Sequence, residues 1–189
     1  TVWWDQLNPD RLLVGSDGGF YISYDRGKTA DHYLNLPVGE FYAVGVDMDD
    51  PYNVYGGMQD HDSWRGPSNG WSGTVNVSDW VTVGTGDGMY NQVDPSDSRW
   101  LYNSSQFGDH RRVDQLHRTM TDIMPRRPAG QPPLRWNWNT PIHLSPHNPQ
   151  IVYTGAQVLL RSLNRGDAWQ EISPDLTTDD PAKTFGRGH

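Results

Sequence analysis

Within seven residues, Gln59, Asp60, His61, Asp62, Ser63, Trp64 and Arg65, the chain places two carboxylates, an imidazole, an indole and a guanidinium. That set suits two chemistries. Asp60 or Asp62 could serve as acid or base on a glycosidic bond while Trp64 stacks on the sugar ring. The Asp-x-Asp pair could also ligate a hard cation such as Ca²⁺, although no full calcium-loop spacing follows. The plainer reading is a solvated loop in which Asp60 caps neighbouring backbone amides. A third carboxylate, Asp87, lies in the stretch GTGDG from Gly84 to Gly88. Facing Asp60 across a central channel, it would complete the carboxylate pair of a glycosidase; otherwise it closes a Gly-rich turn.

Other candidates are thinner. Arg135 offers an anion contact, and Trp136 and Trp138 offer a stacking platform. Strand alternation would turn both indoles to one side, which favours packing between sheets. Gln59, His61, Arg65 and Gln106 complete the expected ligand contacts. Seven His lack any zinc spacing, and zero Cys exclude disulfides and thiolate metal sites. The expectation is no metal and no cofactor, a Ca²⁺ site being the one exception. No phosphate-loop Lys follows GTGDGM, and no Gly-x-Ser-x-Gly nucleophile elbow occurs.

The elements that must position these groups are short. Twenty Gly and 14 Pro imply many turns, and nine Trp with nine Tyr supply core area that a 34% hydrophobic share would not. Fifteen basic against 23 acidic residues give −8, the wrong sign for a nucleic-acid binder, although basic residues gather between Arg111 and Arg135. No apolar run is long enough to span a membrane. The chain opens on Thr1, and the expectation is a processed or partial chain.

The chain also repeats. NPDRLLVGSDGG (from Asn8), DDPYNVYGGMQD (from Asp49), DPSDSRWLYNSSQF (from Asp94) and SPHNPQIVYTGAQV (from Ser145) align, with Val14, Tyr55, Tyr102 and Tyr153 equivalent. Four residues after each Tyr stands Gln59, Gln106 or Gln157. A unit of this length with short alternating runs is one four-stranded propeller blade. The expected repeats run near 1–38, 39–83, 84–133 and 134–176, with 177–189 a connector. Strands are expected in FYAVGVDM, GMYNQVD, PIHLS, QIVYTGA, VLLRSL and AWQEIS. SWRGPSNGWSGTVNVSDW and RTMTDIMPRRPAGQPPLRWNWNT read as inserts, and HRRVDQLHRTM is the best, weak, helix candidate.

Repeats one and four share a box, SYDRGKTA from Ser23 and SLNRGDAW from Ser162. Gly27 and Gly166 supply positive φ in a hairpin, Asp25 or Asn164 bonds back to turn amides, Ser23 and Ser162 add a second bond, and Trp169 buries its ring. These boxes resemble the Asp-box (bacterial neuraminidase, BNR) repeat, with Ala30 in place of its Trp and Asn164 in place of its Asp. Nearly the whole chain is similar to sortilin/VPS10-like bacterial proteins and to BNR-repeat glycosyl hydrolases. The resemblance implies an all-β propeller in which the loops between strands two and three and between blades share one face. For activity the resemblance is unspecific, and the expected function is an extracytoplasmic, non-catalytic scaffold or binding module for protein, peptide or glycan. A polysaccharide hydrolase and a structural subunit of a larger assembly are the alternatives. MPRRP, from Met124 to Pro128, is not the Arg-Ile-Pro start of a sialidase. Four blades would leave open sheet edges, so the rest of a larger propeller or a partner is expected to cover them.

Overall fold

The computed structural model describes residues 1–36 and 39–180. It contains four four-stranded antiparallel sheets, each a meander in chain order. The first holds β1 (Val2–Trp4), β2 (Leu12–Ser16), β3 (Gly19–Ser23) and β4 (Asp31–Tyr33). These strands lie in one compact unit, Thr1–Gly39; the other three sheets lie in a second, Glu40–His189. The second sheet holds β5 (Phe41–Val46), β6 (Asn53–Met58), β7 (Ser63–Pro67) and β8 (Val81–Gly84). The third holds β9 (Asn91–Val93), β10 (Trp100–Ser104), β11 (His110–Asp114) and β12 (Thr119–Asp122). The fourth holds β13 (Ile142–Leu144), β14 (Val152–Gly155), β15 (Leu159–Ser162) and β16 (Gln170–Glu171). Of the expected connector, residues 181–189 lie outside the described residues.

Each first strand ends in the same device. Asp5, Asp47, Asp94 and Ser145 accept the amide two residues on, from Leu7, Asp49, Ser96 and His147. Such Asx and Ser turns fold the chain back into the second strand without a long loop. They are the physical content of the aligned Pro/Asp/Asn segments.

The two boxes share a set of hydrogen bonds. Gly27 and Gly166 amides each donate to the Ser23 or Ser162 hydroxyl at 2.8 Å. Those hydroxyls donate to Asp25 and Asn164 at 2.9 Å, and these in turn accept the amides of Thr29 and Ala168. The Thr29 amide and hydroxyl hold the Asp25 carboxyl down to about 2. One feature goes beyond expectation: Arg26 and Arg165 also take positive φ, so each turn has two consecutive left-handed residues. Trp169 donates its indole N–H to the Ile123 carbonyl at 2.7 Å and packs on the third-to-fourth sheet core.

Two segments depart from the sequence reading. HRRVDQLHRTM is a hairpin, β11 turning into β12. Its polar-apolar alternation wins because Asp114 accepts the amides of Leu116 and His117, stapling a shorter turn where repeat three has lost its box. The expected inserts also contain strands: SWRGP is β7 and TMTD lies in β12.

The core lies between sheets rather than within one. Tyr55 of β6 packs with Val83, Val93, Leu101 and Val113, and Tyr102 of β10 packs with Ile123, Ile142, Leu144 and Val152. We expect Ser162→Ala to lower stability by about 1–3 kcal/mol in urea titrations, because the hydroxyl is buried and the Gly166 amide would lose its acceptor.

Candidate functional site

Three connections form the candidate site: the β6–β7 turn, the β8–β9 loop and the β10–β11 turn. Hydrogen bonds clasp the first two together. Asp62 donates its amide to the Gly86 carbonyl at 3.0 Å, and its Oδ1 accepts the Gly86 amide at 3.0 Å. Asp60 donates its amide to Asp87 Oδ1 at 2.8 Å. Asp60 and Asp62 both adopt positive φ, which aims these groups at the neighbouring loop. The approach is close: a Cβ on Gly57 would lie 2.1 Å from the Gly88 carbonyl carbon.

Asp60 and Asp87 therefore do meet, through the Asp60 backbone amide and the Asp87 carboxylate. Asp87 is buried at 6% exposure, with its own amide donated to Gln106 Oε1 at 3.0 Å. Among the described residues no cluster of three His, Asp or Glu could hold a metal.

The repeated glutamines have a shared geometry. Gln106 Oε1 accepts the Asp87 amide, and Gln157 Oε1 accepts the Arg135 amide at 2.8 Å. Each side chain leaves the second-to-third-strand turn of its sheet and holds the connection that enters that sheet. Gln157 repeats one sheet on what Gln106 does in the candidate site, and its identical spacing after Tyr153 was the available signal.

Beside the clasp runs a chain of polar and aromatic groups, with Trp138 exposed and Tyr42, Gln59 and Phe107 half-buried. Trp138 donates its indole N–H to Tyr42 Oη at 3.0 Å, and Tyr42 donates to Gln59 Oε1 at 3.1 Å. Phe107 meets Trp138 edge-on, centroids 5.2 Å apart, and Trp138 remains 38% exposed. His61 is exposed, with Nδ1 3.0 Å from the Gln59 carbonyl oxygen, and its own carbonyl accepts the Trp64 indole N–H. Tyr42 was missed by sequence reasoning, because contact with a residue 96 positions away leaves no local pattern.

Three expected site residues lie elsewhere. Arg65 donates to Gln115 Oε1 at 3.1 Å, in the seam between second and third sheets. Arg135 is engaged by Asp175 at 2.8 Å and Asp179 at 2.9 Å; the Thr177 hydroxyl and amide, then Arg135, hold the Asp175 carboxyl at about 2. Trp136 covers Gly108 and meets His110 edge-on at 5.8 Å, so the two indoles diverge rather than share a side. Residues 134–139 form no strand, and period-two alternation does not apply there.

No family model matches the chain, and no curated protein matches it. Solved structures do. The extracellular domain of a hybrid two-component system from Bacteroides thetaiotaomicron superposes with TM-score 0.51 at 16% identity, over 96% of this chain and 22% of that one. A GH74 xyloglucanase from Xanthomonas campestris gives TM-score 0.49 at 15% identity, over 92% and 30%. An auxiliary nutrient binding protein from Bacteroides thetaiotaomicron gives 0.46 at 13%, over 85% and 37%. The chain thus spans less than half of each. Four four-stranded meanders and this likeness make it an all-β section of propeller type, similar to part of larger proteins.

His110 sits behind Trp136. Thr154 donates its single hydroxyl proton to the Pro141 carbonyl at 2.8 Å, so His110 Nε2 donates to Thr154 Oγ1 at 2.7 Å and Nδ1 is left bare. Burial pushes its pKa down to about 4. The unfolded chain binds a proton near pH 6.5 that the native state refuses until about pH 4, so stability falls as pH drops through that window. The full loss is about 3 kcal/mol. We expect denaturant midpoints to decline from pH 7 to pH 4.5 and His110→Gln to flatten that decline.

Proposed function

We propose that this chain is a section of a larger Asp-box propeller that works outside the cytoplasm as a non-catalytic glycan-binding module. The binding surface is the face carrying the β6–β7 turn, the β8–β9 loop, the β10–β11 turn and Trp138. One observation carries the reading. Asp62 and Asp87 each accept a backbone amide of the adjoining loop. A glycosidase needs one carboxyl placed to protonate the leaving oxygen and a second placed to attack or activate water. With Oδ1 of each given to a backbone amide, we read these carboxylates as clasps that hold the surface still.

What that surface presents suits a sugar. Trp138, Tyr42 and Phe107 supply ring faces, and Gln59 and His61 supply polar edges beside them. The matching turns at Ser23 and Ser162 support the Asp-box assignment, Ala30 and Asn164 being the departures. The extracytoplasmic setting draws on neighbours described as an extracellular domain and a nutrient binding protein.

Affinity electrophoresis in gels carrying soluble polysaccharides, xyloglucan among them, tests the reading alongside a reducing-end assay. At least one polysaccharide should retard the chain, Trp138→Ala should weaken retardation about 3–10-fold, and no reducing ends should appear. Retardation indifferent to Trp138, or by no polysaccharide, would sink the glycan face. Reducing-end release abolished by Asp87→Asn would establish the competing hydrolase instead.

A further inference from the structure

One row of side chains recurs on three sheets. In the second, Gly45, Tyr55, Arg65 and Val81 stand opposite one another; in the third, Gln92, Tyr102, Arg112 and Thr121; in the fourth, His143, Tyr153, Arg161 and Gln170. Paired residues share a sheet face, so each Tyr and its Arg point to the same side.

The row does the same work twice. Tyr55 packs on Val93, Leu101 and Val113 of the third sheet, and Arg65 and Tyr55 both bond Gln115 in that sheet's last turn. Tyr102 packs on Ile142, Leu144 and Val152 of the fourth sheet. Arg112 reaches that sheet's last turn, donating to the Arg165 carbonyl at 2.9 Å and to Asp167 at 2.9 Å. On the fourth sheet the row is present and unmatched: Arg161 bonds Gln170 of its own sheet, and among the described residues it has no acceptor on another.

We propose that Tyr153 and Arg161 form the docking position for a fifth four-stranded sheet of the same repeat, carried by the same polypeptide. Its aliphatic face lies on Tyr153, and its last turn offers a carbonyl, amide or carboxylate oxygen to Arg161. This rests on the larger-propeller part of the proposed function and is independent of its glycan face. A second copy of this chain is the poorer occupant. The first-sheet box carries Lys28 where the fourth carries Asp167, so docking it on the fourth sheet would set Lys28 against Arg161.

The test compares Arg112→Ala and Arg161→Ala in the 189-residue chain and in the polypeptide as its source makes it. In the 189-residue chain Arg112→Ala should lower Tm by about 3–6 °C and Arg161→Ala by less than about 1 °C. In the natural polypeptide Arg161→Ala should cost as much as Arg112→Ala. Equal cost in both chains, no cost in either, or a natural polypeptide without a further repeat would overturn the proposal. So would a dimer of the 189-residue chain that Arg161→Glu dissociates. If an alanine variant fails to fold, a photo-cross-linking benzoylphenylalanine at Tyr153 decides. It should capture a later turn of the same polypeptide; capture of a second copy, or of nothing, counts against. Loss of glycan binding with this result intact would refute only the glycan face.

Discussion

Strands of two to six residues leave more of the backbone in turns than in ladders, and every turn amide taken from water needs an acceptor. That requirement shapes the rest of this chain. Twenty-three acidic residues include only two glutamates, Glu40 and Glu171, which leaves 21 Asp. Aspartate is the acid whose short side chain can bond its own neighbourhood. The Asx turns after the first strands, the Ser–Asx boxes, the Asp114 staple and the Asp62–Asp87 clasp are four answers to the same need. The glutamines extend it, since Gln106 and Gln157 reach one connection further than Asp can.

The same constraint bears on titration. Donors around a carboxylate stabilise its charged form. At Asp114, hydrogen bonds from the Arg99 side chain, then from His117, outweigh its desolvation and hold it well below the usual carboxylate range. Asp47 behaves likewise. Burial pushes it up, but bonds from Asn53 and Tyr55 bring it down, while the buried Tyr55 phenol is pushed up to about 12.

Local signals in the sequence carried the sheets. Repeat spacing located the first strands, and the boxes specified their own hydrogen bonds down to Ser162 and Asn164. What failed was whatever depended on partners distant in sequence. QDHDSWR reads as one cluster, yet strand alternation and the seam divide it, leaving His61 at the exposed turn and taking Arg65 to Gln115. Trp136 and Trp138 look like a pair on a strand, but no strand forms there, and His110 and Tyr42 draw them apart. HRRVDQLHRTM has too few apolar residues for either period to speak clearly, so the Asp114 turn decided it.

The seams also have direction. The face each sheet offers backward is aliphatic (Val93, Leu101 and Val113 on the third; Ile142, Leu144 and Val152 on the fourth), and the face it offers forward carries Tyr and Arg. Such an interface is heterologous: forward face meets backward face, and neither complements itself. Head-to-tail contacts end only by closing into a ring or by an unlike cap. Three sheets joined by two seams follow one rule of addition, forward face to backward face.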